Sequence, residues 1–210
     1  MEVLLGTTNP SKVKRFASFL ADCDVTFYTL KDLGITREPE EKGGSPEENA
    51  VIKARFYGRY FDRVICNDSG LYFDALPLED PRQPGLHIRT PGGGKRLEDE
   101  EMIAYYSRLI RSLGGRVSAF YLDGISVYNR GKVYSYMENM DSIRQDAFYM
   151  VDRPSTIRRP GWPLDSLSLN PSTLSYFTEG GNDIYEGAAE TSTVHRQRLI
   201  RFLKEALGYL

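Results

Sequence analysis

Apolar positions along this chain fall into two periods, and the change from one to the other marks out its elements. Val3-Leu4-Leu5 is a continuous apolar run that predicts a buried strand. After the small polar turn Gly6-Thr7-Thr8-Asn9 comes a helix: Asn9 is a good N-cap, Pro10 suits the first helical position, and Val13, Phe16, Ala17 and Leu20 recur at helical spacing. Val25 to Tyr28 predicts a second strand. Ser45 and Glu48 form a capping box with Pro46 at the first helical position, and that helix is predicted to reach about Tyr60, with Ala50, Ala54, Tyr57 and Phe61 on one face. Val64-Ile65-Cys66 reads as a buried parallel strand that stops at Asn67-Asp68-Ser69-Gly70.

The second half continues in the same way. Pro91-Gly92-Gly93-Gly94 predicts a flexible flap. Met102, Ile103, Tyr106, Leu109 and Ile110 form a helical stripe within 97–113, ended by Gly114-Gly115. Arg116 to Tyr128 and Lys132 to Met137 predict two strands joined by a three-residue loop, Asn129-Arg130-Gly131. The segment 142–148 is ambiguous, and Asn170 to Asp183 is polar and rich in turns. A last helix is predicted from Glu190 to Leu207, with Leu199, Phe202, Leu203, Ala206 and Leu210 on its apolar face. Helices alternating with short apolar strands predict an α/β fold. No repeat or low-complexity linker divides the chain, so two lobes are expected to interleave in sequence.

Composition changes this picture little. A net charge of −2 gives no electrostatic footprint for duplex nucleic acid. The two cysteines, Cys23 and Cys66, are too few for a disulfide framework and suggest a reducing compartment. No apolar run has the length of a membrane span, and the first residues run straight into a strand without a basic leader.

Candidate chemistry gathers at the strand ends. An acid delivered there, Asp68, suits a hard cation such as Mg²⁺, and Ser69 with the amides beside Gly70 suits phosphate oxygens. The same four residues also read as an Asx turn ending a strand. The turn at Thr7, Thr8 and Asn9, followed by a helix N-terminus and Lys12, makes an anion site; an ordinary capped turn with a surface lysine is the plainer alternative. Glu41 precedes a glycine pair and a helix start, which could bring it near Asp68, and Lys53 follows on that helix.

Taken together, the motifs resemble the inosine triphosphate pyrophosphatase (Ham1-like) family, as a divergent member. Thr7-x-Asn9-x-x-Lys12, then Glu41-x-Gly43-x-Ser45-x-Glu47-Glu48-Asn49-Ala50-x-x-Lys53-Ala54, then Asp68-Ser69-Gly70-Leu71 carry the resemblance. It continues through Pro84-Gly85 with Arg89, the looser Gly161-Trp162-Pro163-Leu164-Asp165, and His195-Arg196. The resemblance implies an elongated mixed central sheet flanked by helices. It implies two lobes with an active-site cleft between them: a phosphate-binding lobe and a smaller β-rich lobe including about 116–140.

It further implies hydrolysis of non-standard purine nucleoside triphosphates such as ITP, dITP and XTP to the monophosphate and pyrophosphate. The cofactor is then Mg²⁺, with Mn²⁺ as a substitute, held by Glu41 and Asp68. Asp68 also orients or deprotonates the attacking water. Lys12, Lys53, Thr7, Thr8, Asn9 and Ser69 hold the phosphate tail. Trp162 offers a stacking face, and Asp165, His195 and Arg196 read the base edge. Arg89 is either a lid cation or a structural ion pair. A cytoplasmic homodimer with no nucleic-acid or membrane partner is expected. Several positions depart from the pattern: Asn67 where an acid is usual, Arg15 where an acid is usual, Glu190 for a lysine, Ser166 for a proline, Pro163-Leu164 for a Gly-aromatic pair, and Val194 for a serine. Those departures leave two alternatives: a relative that binds nucleotide without turnover, or a pyrophosphatase with a modified-pyrimidine preference.

Overall fold

The structure is a computed structural model that describes residues 1–180 and 190–210, the side chains of 11 and 190–193 excepted. Its strands are β1 (Glu2–Leu5), β2 (Thr26–Thr29), β3 (Arg63–Phe73), β4 (Arg116–Asn129), β5 (Lys132–Met137), β6 (Phe148–Val151) and β7 (Ser168–Leu169). Its helices are α1 (Pro10–Phe19), α2 (Pro46–Tyr57), α3 (Asp99–Ser112), the short α4 (Met140–Ile143) and α5 (Glu190–Leu207). The strand order is β2-β1-β3-β4-β6-β7, with β5 also on β4; β1 runs parallel to β2 and β3, and β4 antiparallel to β5 and β6. This is the expected mixed α/β architecture.

Two compact units divide the chain. The first comprises Met1–Ser69, Asp123–Glu138 and His195–Leu210, and the second Gly70–Leu122 and Asn139–Val194. In the first, strand alternation sorts side chains onto two faces. Val3 and Leu5 of β1, Ile65 of β3, and Ile125 and Val127 of β4 pack with Phe16 of α1 and Leu199 and Leu203 of α5. Leu4, Val64 and Cys66 point the other way, against Ala54 and Tyr57 of α2. In the second unit, Leu71, Phe73, Val117, Ala119 and Met150 pack with Met102, Tyr106 and Ile110 of α3.

Several local expectations are corrected. β3 does not stop at Cys66: it runs eleven residues, through Asn67, Asp68 and Ser69, to Phe73. Its polar middle stays extended because those side chains find polar partners on both faces. α2 ends at Tyr57, with Gly58 as its C-cap, so Phe61 lies beyond it. The β4–β5 turn has two residues, not three: Asn129 pairs with Lys132, and Arg130 and Gly131 have φ of 48° and 91°, the signs a type I′ turn requires. Leu210 lies past the end of α5 and is 75% exposed, so it does not belong to the apolar face. The hairpin's residues divide at Leu122, with Asp123 onward in the first unit.

Candidate active site

The alternation that sorts the core also sorts the polar residues of β3. Asp68 continues the Val64–Cys66 series and faces α2; Asn67 and Ser69 continue the Ile65 series and face α1. β1 pairs with β3 only at Leu4↔Val64 and Leu5↔Ile65, so beyond Ile65 the chain of β1 has already turned away into Gly6–Asn9 and α1. The carboxyl end of a parallel strand beside a diverging helix is the usual place for a ligand in an open α/β sheet.

On the α2 face the acids converge. Lys53 Nζ lies 3.0 Å from Glu41 Oε1 and 3.1 Å from Asp68 Oδ1, so one ammonium is shared by the two carboxylates. Burial alone would lower the Lys53 pKa, but Asp68 and Glu41 together raise it above the usual lysine value. Asn49, only 3% exposed, ties this face together: its Nδ2 donates to Asp68 Oδ2 at 3.0 Å and its Oδ1 accepts from Gly43 N at 2.8 Å. The loop bearing Glu41 is thereby fastened to the strand bearing Asp68. Gly43 is required for that approach, because a Cβ there would come within 2.7 Å of Asn49 Oδ1. The first turn of α2 carries the Ser45 cap, which accepts from Glu48 N at 3.1 Å, and Glu48 in turn accepts from Gly44 N at 2.7 Å.

On the α1 face a second cluster forms around Asp123 of β4, a residue to which the sequence assigned no role. Ser69 Oγ donates to Asp123 Oδ1 at 2.5 Å, and Arg15 Nη1 lies 2.6 Å from Asp123 Oδ2. Burial alone would raise the Asp123 pKa, but Arg15, the Ser69 hydroxyl and Lys12 hold it below the usual carboxylate range. Lys12 is on the inner side of α1, one turn before Phe16. Burial lowers its pKa; Asp123 and Asp68 oppose this, while Lys53 and Arg15 add to it. Lys12 therefore feels the charges of both clusters. Beside it, Thr7 Oγ1 accepts from Asn9 N at 3.2 Å, Asn9 O begins the helix by accepting from Val13 N, and Thr8 is exposed.

The expected site residues thus fall into separate groups. Lys53 is in contact with both Glu41 and Asp68, and Lys12 lies within electrostatic reach of Lys53 and Asp68. Ser69 is turned away from Asp68 to Asp123, which corrects the expectation that β3 presents both to one ligand. His195 and Arg196 are also in the first unit. His195 Nε2 stands 4.0 Å from Glu138 Oε2, a carboxylate that also receives the Tyr136 hydroxyl and pairs with Arg198 at 3.4 Å. The Arg196 guanidinium lies 5.1 Å from the Phe19 ring centroid. Glu190 begins α5, but its side chain lies outside the described residues.

In the second unit, Arg159 Nη1 pairs with Asp165 Oδ2 at 3.0 Å. Burial nevertheless pushes the Asp165 carboxyl up to about 6, against the pull of Arg159. The Trp162 indole N–H is buried without a hydrogen-bond partner among the described residues. Arg89 is held in an ion pair, with Nη2 2.8 Å from Asp99 Oδ1, and also donates to Leu97 O at 3.3 Å. Asp99 Oδ2 accepts from Gly161 N at 3.4 Å, so one carboxylate fastens both the Arg89 and the Trp162 segments. The Ser166 hydroxyl donates to Pro163 O at 2.7 Å.

Asn49 and Asp123 are functional candidates that the sequence did not single out. Asn49 stood inside a quoted motif as an uncharged helix residue. Asp123 carried a visible signal: it is the one acid within the apolar run Val117 to Val127 of β4 and is followed by a glycine. Gly124 itself lies on the opposite face from Asp123, where a Cβ would collide with the backbone of Pro46 and Glu47. That close approach sets α2 against β4.

Among the described residues no group of three or more His, Cys, Asp and Glu side chains is placed to hold a metal ion. The donor set that does converge is the pair Glu41 and Asp68. Two hard carboxylates around a cationic group fit Mg²⁺, which is commonly held by one or two carboxylates together with substrate phosphates.

A profile of the Ham1 family matches residues 3–137. The dITP/XTP pyrophosphatase of Thermus thermophilus is 30% identical over 98% of this chain and 91% of that protein. The dITP/XTP pyrophosphatase of Thermoanaerobacter pseudethanolicus is 33% identical over 63% of this chain, and the match spans 65% of that relative's length. A HAM1 protein from Coxiella burnetii has the same fold, with a TM-score of 0.70 at 21% identity over 98% of this chain and 99% of that one.

Proposed function

Since this chain belongs to the Ham1 family, we propose that it is a nucleoside triphosphate pyrophosphatase acting on non-standard purine nucleotides such as dITP, ITP and XTP. The monophosphate and pyrophosphate are the products. The observation that carries the reading is the convergence of Glu41 and Asp68 on Lys53, with Lys12 close enough to feel Asp68. A triphosphate needs its negative charge neutralised before a nucleophile can approach. Glu41 and Asp68 would hold Mg²⁺, which supplies that neutralisation and polarises the phosphoryl group. Lys12 and Lys53 bind the phosphate tail, and Lys53 exchanges its carboxylate partners for phosphate oxygens. Asp68, fixed by Asn49, orients the attacking water and receives its proton. The turn at Thr7, Thr8 and Asn9 adds backbone and hydroxyl donors at a helix N-terminus.

In the second unit, the candidates for contact with the base are Trp162 and Asp165; in the first, taken by itself, they are His195 and Arg196. A buried N–H without a partner among the described residues on Trp162 and a carboxyl on Asp165 pushed up to about 6 by burial support the assignment of those two residues. The proposal extends to Arg89 as a substrate contact once released from Asp99, and to a cytoplasmic homodimer. The decisive experiment is a pyrophosphate-release screen over dITP, XTP, dUTP and the four standard nucleotides, with Mg²⁺ and with Mn²⁺. Release from dITP and XTP, abolished in Asp68→Asn, is expected. Tight binding of nucleotide with no release under either metal would replace this reading with that of a binding protein.

A further inference from the structure

On the α2 face of β3 the two candidate metal ligands already share a cation. Lys53 Nζ stands 3.0 Å from Glu41 Oε1 and 3.1 Å from Asp68 Oδ1, with a weak third contact to Asn67 O at 3.5 Å. The other Asp68 oxygen, Oδ2, accepts from Asn49 Nδ2 at 3.0 Å. Both Asp68 oxygens are therefore engaged by donors of this chain. An ion bridging Glu41 and Asp68 needs the lone pairs and the space that Nζ holds, and two cations at that spot would repel. The contact is not a loose surface pair: the Lys53 and Asp68 side chains are only 15% and 14% exposed. The ammonium can nevertheless leave without undoing the site. It ends a flexible four-carbon stem rooted one turn after Asn49 on α2. Asn49 meanwhile keeps the strand and the Gly43 loop fastened by its own hydrogen bonds. What would draw the ammonium away is negative charge. The Lys12 pKa is lowered by burial and further by the Lys53 charge, so the two ammoniums repel. A polyphosphate that meets both relieves that repulsion.

We propose that Lys53 is the resident counter-ion of the Glu41–Asp68 pair and bars it to divalent metal until a polyphosphate takes the ammonium. The inference rests on the pyrophosphatase reading given above and deepens it. Metal alone then binds weakly, and by linkage the polyphosphate tightens the metal as much as the metal tightens the polyphosphate. In the nucleotide-free protein Lys53 also keeps the two carboxylates from repelling each other, which holds the Glu41 loop against the strand. Removing its charge therefore does two things at once: it loosens that hold, and it opens the pair to metal. A lysine that served the fold alone would show only the first.

The test measures Mn²⁺ binding to the nucleotide-free protein, through the loss of the paramagnetic resonance signal of the free ion. It compares the wild type, Lys53→Met and the double variant Lys53→Met with Asp68→Asn. Methionine keeps most of the stem and removes the charge. Lys53→Met is expected to bind Mn²⁺ about tenfold or more tightly than the wild type, and the double variant to lose that gain. Affinities of the wild type and Lys53→Met within about twofold of each other would overturn the proposal. So would a gain that survives Asp68→Asn, since the ion would then bind elsewhere. If Lys53→Met does not fold, the wild type decides through its Tm with Mg²⁺ alone, with inorganic tripolyphosphate alone and with both. Mg²⁺ alone should leave Tm nearly unchanged, and the pair should raise it by more than the two separate shifts together. A rise with Mg²⁺ alone as large as that with both would overturn the proposal. Neither measurement uses turnover. If the wild type releases no pyrophosphate from any nucleotide, the pyrophosphatase reading fails, while the Mn²⁺ comparison still decides whether Lys53 bars the two acids to metal.

Discussion

Asn49 Nδ2 donates to Asp68 Oδ2 at 3.0 Å while Asn49 Oδ1 holds Gly43 N, so one buried amide sets both the strand acid and the loop that carries Glu41. An amide suits the position because the two jobs call for opposite hydrogen-bond polarity, and the Asn49 side chain presents an N–H donor and a carbonyl acceptor on one rigid plane. Asn49→Asp removes the donor and sets a second carboxylate against Asp68. It is expected to cut kcat/KM at least tenfold and to destabilise the protein by about 2 kcal/mol, read by pyrophosphate release and by urea unfolding.

Glu41 sits in a partly exposed loop, at 40% side-chain exposure, whereas Asp68 is anchored in a strand. Glu41→Gln should therefore weaken metal use more than it harms the fold. The Mg²⁺ concentration for half-maximal rate is expected to rise about tenfold with Tm nearly unchanged. A drop in rate that no Mg²⁺ concentration restores would assign Glu41 a role other than metal binding.

Asp165 gives a pH dependence with a definite sign. Its carboxyl titrates at about 6 in the folded protein against 3.8 for an ordinary aspartate, because burial disfavours its charge. The folded state then holds the proton more tightly than the unfolded state. This contribution is fully present below pH ~4 and is lost as pH rises through about 6. Asp165→Asn should flatten this part of the stability profile, measured as Tm between about pH 4 and pH 7. In activity, the same variant should remove any change in KM for dITP with an apparent pKa of about 6.

Trp162 is the only tryptophan, so intrinsic tryptophan fluorescence reports on its segment alone. Asp99 fastens that segment through Gly161 N and the Arg89 segment through its guanidinium. Asp99→Asn is expected to shift the Trp162 emission of the free protein and to raise KM several-fold, with kcat within about twofold. Unchanged emission would mean that the Asp99 contact does not order the loop.

Gly43 and Gly124 are matters of space. Replacing Gly124 by Ala would force α2 off β4, since the added Cβ meets backbone rather than a flexible side chain. A loss of about 2–4 kcal/mol is expected, with reduced activity because Lys53 and Asn49 move with the helix. Gly131→Ala, at φ 91° in an exposed turn with open space around it, should cost only about 1 kcal/mol and leave activity alone.

Local order alone determined much of this protein. The helix starts at Pro10 and Pro46, the apolar stripes of α3 and α5, and the short parallel strands follow from periods and caps that a few neighbouring residues define. The order of the phosphate-side motifs was equally legible; in the structure Lys53 meets Glu41 and Asp68, and Lys12 feels the charges of Lys53 and Asp68. Tertiary structure decided what periodicity cannot carry. Polar residues 67–69 looked like the end of β3, yet the strand continues, with the Asp68 and Ser69 side chains held by partners 15 to 54 residues away in sequence. Once β3 is extended, alternation sends Asp68 and Ser69 to opposite faces, and so the serine answers to Asp123 rather than to its neighbour. No local signal fixes that division, because it depends on which strands and helices the sheet sets on each side.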